Sequence, residues 1–333
     1  MNRRNVSILA AVLAGLVLLL FVLQAGNDDT SAGGDLLFPQ LKEQINDITA
    51  VTITRHGEDA PTTISRSADG WTVASRDGYA ADVGKLRELL LALADARRVE
   101  QKTANAELYD RLGVRDPASD GSKGILLELE GASSAYRLIV GNTAQGGYRY
   151  VRIADDPQSW LIDKNPNVPD SPGAWLERNI VDIKAAAVRS VTIRHPDGEE
   201  IRVGKESADA TDFDVLNVPD GRELSYATVA NSIAGALNAL SLDDVRQAGE
   251  RSADAVTTTF DTFDGVRIVV STVHEEDEYW ISLEAAEAGD SGETAESVAS
   301  INARVAGWEY RIPEYKANQL TRRFDDILKT GPD

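Results

Sequence analysis

The sequence predicts an α+β protein: an N-terminal transmembrane helix, then two tandem, duplicated β-rich units, each with one main packing helix. Three observations point there. Val6–Leu23 is an uncharged, almost wholly apolar run. Most of the remaining chain consists of short segments rich in Val, Ile, Thr, Tyr and Trp, separated by turn residues, which is strand grammar. Residues 51–56 (VTITRH) and 191–195 (VTIRH) are near copies, and the segments downstream of each also correspond.

The apolar run spans about 18 residues, or about 27 Å as a helix, enough to cross a bilayer core. Arg3 and Arg4 precede it; Asp28 and Asp29 lie after it. The positive-inside rule then keeps the N-terminus in the cytoplasm and sends the rest across the inner membrane. A cleaved signal peptide is the alternative. Its apolar core is usually shorter, and a cut after Ala25 would place Leu23 where a small residue belongs. The chain contains no Cys, which excludes lipoprotein acylation, disulfides and thiolate metal sites.

GNDDTSAGGD (Gly26–Asp35) has linker composition. The expected organisation is therefore 1–26 anchor, 27–44 linker, 45–170 first unit and 171–333 second unit. VPDSP (168–172) marks the boundary. In the first unit, TTISRS, WTVAS, GILLELE, YRLIV, YRYVRI and SWLID read as strands. Leu86, Leu89, Leu90 and Leu93 form one helical stripe behind Asp82, a candidate N-cap. NAELYDRLGV reads as a short helix stopped by Gly113.

The second unit offers counterparts: EEIRVGKE, DFDVLNV, AVTTTFDTF and VRIVVST. It also carries a stripe at Ile233, Ala236, Leu237 and Leu240 behind Ser225, and Trp308 matches Trp160. PGAWLERNIVDI resembles PEYKANQLTRRFDDIL, which reads as a closing helix. Ala285–Ser300, acidic and small, reads as an exposed loop.

Chemistry is harder to find. The chain has a formal net charge of −20, which repels a phosphate backbone, so nucleic acid is not an expected partner. No phosphate-binding or dinucleotide-binding glycine motif occurs. GNTAQGG (141–147) lies between strands and reads as a hairpin loop. There is no G-x-S-x-G and no Ser three positions before a Lys. His56 and His195 hold the same place in the two copies and read as structural; His274 sits at an acidic strand tip. The acidic clusters at 212–214, 261–264 and 275–278 read as solvated loops or strand edges; the first starts like a calcium loop, but Leu216 stands where the third ligand belongs. Trp71, Trp160, Trp175, Trp280 and Trp308 read first as core anchors. The sequence thus nominates no catalytic, cofactor-binding or metal-ligating residue, and no cofactor.

The run DGYAADVGKLRELLLALADARRVEQKTANAELYDRLGV, the later AYRLIVGN…GGYRYVRIADDPQSWLID and the stretch GRELSYATVANSIAGALNALSLDDV together resemble the domain-of-unknown-function family four-three-four-zero. The resemblance runs through most of residues 45–245. It implies an envelope protein whose genes often lie beside an ABC transporter of the gliding-motility type, and it brings no catalytic residues. The expected function is a non-enzymatic, membrane-tethered extracytoplasmic accessory or scaffold protein. Its expected partner is a membrane protein such as transporter subunits. An envelope hydrolase working through paired carboxylates is the alternative.

Overall fold

The computed structural model describes residues 34–329, apart from 69, 227, 251 and 290–293. The expected anchor over Val6–Leu23 lies outside the described residues. Among the described residues no helix is long and apolar enough to cross a membrane.

The protein is β-rich, with two large sheets. The first contains β1 (Ala50–Arg55), β2 (Thr62–Ser67), β3 (Gly70–Val73), β4 (Tyr79–Ala80), β5 (Arg98–Gln101), β6 (Ile125–Glu130), β7 (Tyr136–Thr143), β8 (Arg149–Ile153) and β9 (Ser159–Ile162). Its order is β4-β3-β2-β1-β6-β7-β8-β9-β5. A short β10 (Asn179–Val181) comes next in the chain. The second large sheet contains β11 (Val188–Arg194), β12 (Glu200–Gly204), β13 (Asp214–Val215), β15 (Asp244–Gln247), β16 (Val256–Thr262), β17 (Val266–Glu275), β18 (Glu278–Glu287) and β19 (Trp308–Ile312). Its order is β13-β12-β11-β16-β17-β18-β19-β15. The intervening β14 (Leu240–Ser241) pairs with β10.

Apart from β4, the two orders correspond strand for strand. VTITR and VTIR occupy the same place, β1 and β11. Trp160 stands opposite Gln101 across β9 and β5, and Trp308 stands opposite Gln247 across β19 and β15.

Alternation explains the strands. On β11, Val191 and Ile193 are buried while Arg194 is exposed; on β1, Val51 and Ile53 are buried. β6 is apolar on both faces because both are covered: Leu127 and Leu129 point to one side, while Leu126 on the other joins Tyr109, Val114 and Ile139.

Helices close the layers. α1 (Leu41–Gln44) is one turn; α2 (Val83–Ala94) buries Leu86, Leu89, Leu90 and Leu93. That burial contributes about 1.5–3 kcal/mol per leucine. Asp82 caps α2, its Oδ1 accepting from the Lys85 N–H at 3.0 Å. α3 (Tyr109–Leu112) stops at Gly113, whose φ of 69° is left-handed. A Cβ there would meet Asn142 Oδ1 at 2.6 Å, so glycine is required twice over.

α4 (Val229–Ala234) packs on β11 and β12. α5 (Ala295–Val305) packs on β18. α6 (Glu314–Leu320) packs on β17 and β18, and α7 (Phe324–Ile327) comes after it.

Several expectations change. Leu37 and Leu41, inside the expected linker, are fully buried, and the Leu37 N–H bonds to the Ala96 carbonyl at 2.7 Å. The second stripe is buried at all four positions, but the helix beneath it stops at Ala234, and Ala239 turns the chain with φ 48°. Ser225 does not cap it; its hydroxyl donates to the Ile327 carbonyl at 2.9 Å. The second half therefore lacks one dominant packing helix over that stripe. Among its described residues the longest helix is α5, which begins inside the stretch expected to be a loop and runs on past its end to Val305. The stripe of α5 is diluted by small Ala and Ser, so its period is weak in the sequence. The closing helix is broken at residues 321–323, because the Phe324 N–H bonds to Glu199 Oε1 at 2.6 Å and restarts the chain as α7. PGAWLERNIVDI becomes a 3₁₀ turn and β10, so it shares no element with that segment.

Cα packing divides the chain into two compact units. One runs to Thr63 and resumes at Arg87–Val168; the other joins Ile64–Leu86 to the chain from Pro169 onward.

Candidate functional site

A cavity of about 860 Å³ lies inside the second compact unit. Its walls come from β3 and β4 (Trp71, Tyr79), the β10 segment (Glu177, Asn179), α5 (Arg304) and β19 (Trp308, Tyr310).

Local sequence explains how these meet. On β19, Trp308 and Tyr310 are two apart and so share a face. Tyr79 presents its ring edge to both, with centroids 5.0 Å from Trp308 and 6.0 Å from Tyr310. That T-shaped geometry is favoured between aromatic quadrupoles. The β3–β4 turn passes through Asp77 and Gly78, both left-handed. It is tied down by Arg76, whose Nε and guanidinium NH₂ donate to the two Asp244 carboxylate oxygens at 2.5 and 3.0 Å. Beyond it, the Asp82 N–H bonds to the Trp175 carbonyl at 2.7 Å, and Lys85 Nζ donates to the Ala174 carbonyl at 2.8 Å. Trp175 is fully buried beneath these contacts.

Electrostatically the groove is mixed. Burial pushes the Tyr79 and Tyr310 phenols above their ordinary range. The Tyr310 hydroxyl donates to the Arg304 carbonyl at 3.3 Å. Among the described residues the Arg304 guanidinium makes no ion pair, and Glu177 accepts from the Asn179 N–H at 3.1 Å. The groove therefore offers flat aromatic area, one cation and one carboxylate, an arrangement suited to binding.

The histidines weighed in the sequence do not converge. His56 Nδ1 donates to the Pro117 carbonyl at 3.2 Å, and its Nε2 accepts from the Gly121 N–H at 3.1 Å. His195 Nε2 donates to the Arg322 carbonyl at 3.0 Å. His274 is exposed and stacks on Tyr279 at 4.3 Å. GNTAQGG is the connection from β7 to β8. In the acidic clusters, Asp261 pairs with Arg267, Glu275 with Arg246 and Glu278 with Arg311. No group of three metal-ligating side chains occurs among the described residues.

Every described carboxylate with a displaced acidity is displaced downward. None is thereby poised as a general acid, which needs the opposite shift. Of the five tryptophans, Trp175 and Trp280 are core, while Trp71, Trp160 and Trp308 are half-buried. Core anchoring thus describes two of them. Trp71 and Trp308 are groove walls, a role that aromatic content alone does not signal.

The architecture and groove define an α+β protein built on two antiparallel sheets, carrying an aromatic cleft. Residues 71–263, more than half of the chain, match the family described as Domain of unknown function (DUF4340), and the chain belongs to that family. No curated protein and no solved structure matches it.

Proposed function

We propose that this protein is a membrane-tethered, extracytoplasmic accessory protein that binds a segment of a membrane partner, such as a transporter subunit, in its aromatic groove. One observation carries the binding half: four aromatic side chains, Trp71, Tyr79, Trp308 and Tyr310, wall a cavity of about 860 Å³ beside Arg304, a cation with no ion-pair partner among the described residues. Aromatic residues and Arg are what interface hot spots are made of. The address rests on Val6–Leu23 and its charge flanks. We infer further that the two sheets arose by tandem duplication, which their strand orders and the paired Gln–Trp neighbours support.

Fractionation with alkaline extraction tests the address: the chain should stay with the membrane, and added protease should cut its body only from the extracytoplasmic side. Cross-linking and then purification in detergent tests the groove. A membrane partner should be recovered with the native chain and lost with Trp71→Ala and Trp308→Ala. Recovery that is indifferent to both substitutions rules the groove out as the binding place.

A further inference from the structure

A second, smaller cavity lies in the same compact unit, beneath the break between α6 and α7, where the ends of β11 and β17 and the start of β18 meet. We propose that it binds a neutral, hydroxyl-rich ring of monosaccharide size. Its volume is about 340 Å³, at the lower end of the roughly 300–1,000 Å³ of small-molecule sites.

Three features carry the proposal. Thr272 lines the cavity at 2% exposure, and its hydroxyl has no hydrogen-bond partner among the described residues. Two other buried threonines of this sheet are satisfied: Thr258 donates to the Leu320 carbonyl at 2.5 Å and Thr262 to the Val266 carbonyl at 2.9 Å. A buried orphan of this kind calls for an explanation, and a ligand hydroxyl that the Thr272 side chain turns to meet supplies one.

The second feature is a flat plate at the mouth. His274 and Tyr279 are cross-strand partners whose rings stack 4.3 Å apart, 13° from parallel. The C–H face of a sugar ring packs on such a surface while its rim of hydroxyls needs mixed donors and acceptors. The wall provides them. His195 lines the cavity with its ring held by the Nε2 contact to the Arg322 carbonyl. Asp254 supplies carboxylate oxygens and Arg323 supplies N–H groups.

The third feature is charge, which selects among ligands. Arg323 is held by Asp197 at 2.8 Å and Glu199 at 2.6 Å. Asp254 adds a further carboxylate to the lining, in a chain of net charge −20. That field disfavours phosphate or carboxylate ligands. The proposal is independent of the aromatic groove, which shares none of these residues.

The test uses the full-length chain in a sugar-free detergent and ligand-observed saturation-transfer NMR. Glucose and N-acetylglucosamine are the probes; inorganic phosphate and ethanolamine are the comparators. Sugar binding is expected with a dissociation constant of order 1 mM. Thr272→Val, which keeps the shape and removes the hydroxyl, should weaken it about tenfold, and Thr272→Ser should restore it. His274→Ala, at the exposed mouth, should weaken binding without a change in melting temperature, so the test survives if Thr272→Val folds poorly. Absence of sugar saturation, binding indifferent to both positions, or preference for phosphate or ethanolamine each overturns the proposal.

Discussion

Asn302 holds Ala285 by both of its backbone polar groups. The Asn302 Oδ1 accepts from the Ala285 N–H at 2.8 Å, and Nδ2 donates to the Ala285 carbonyl at 2.8 Å. The reason lies in the sheet. β19 pairs with β18 only at Tyr279, Trp280 and Ile281, leaving the later part of β18 with an open edge. The side-chain amide of α5 stands in for a strand there, and the helix shields the edge. The same helix contributes Arg304 to the groove. Asn302→Ala should cost about 1–3 kcal/mol, the range for stranding buried backbone groups. Asn302→Asp, which keeps an acceptor and loses the donor, should not rescue it. Urea unfolding measures the loss, and amide exchange should rise over 283–287.

Lys316 is 7% exposed, and its ammonium donates to the Ala236 and Asn238 carbonyls at 3.0 and 2.7 Å. Burial pulls its pKa below the ordinary 10.5, against a smaller upward pull from Asp182. In the window between the depressed folded value and 10.5 the unfolded chain binds the extra proton, so this residue's contribution rises with pH. Lys316→Met should destabilise by about 1–3 kcal/mol at neutral pH, since both carbonyls lose their donor. The deficit should widen as pH approaches 10.5. A deficit that stays constant across that window refutes the coupling.

Tyr79 and Tyr310 act in the opposite direction. Burial raises both phenols above the ordinary value of 10.0. Above that value the unfolded chain ionises them and the folded chain does not, so stability falls as pH climbs past 10. Spectrophotometric titration should show phenols that ionise only as the protein unfolds. Tyr310→Phe should flatten the alkaline loss of stability while leaving the neutral value within about 1 kcal/mol.

Asp82 joins cap to charge. Burial alone would raise its pKa, but hydrogen bonds from the Lys85 backbone and side chain, with that side chain's charge, bring it below 3.8. Its ionised form therefore stabilises the fold above the ordinary value, and that contribution is lost as pH falls through the depressed one. Asp82→Ala should cost about 1 kcal/mol. Asp82→Asn should retain most of the cap while abolishing this acid-side dependence, a difference that thermal melts between about pH 2 and pH 7 resolve.

Much of this protein is written in local pattern. The repeat of VTITRH in VTIRH, the alternation of Val191 and Ile193, the leucine stripe from Leu86 to Leu93 and the stops at Asp82 and Gly113 all depend on near neighbours, and periodicity and backbone sterics suffice to read them. Tertiary structure decided the rest. The six-residue α4 ends on packing that its stripe does not announce; the break at 321–323 depends on Glu199, 125 residues away, and the helix at Ala295–Val305 is tied to Ala285 on the neighbouring strand. The groove, too, depends on distant partners. Tyr79 and Trp308 are more than two hundred residues apart, yet their rings meet at 5.0 Å. No spacing rule encodes that meeting, because it arises from how strands close on one another and not from the order in which they are synthesised.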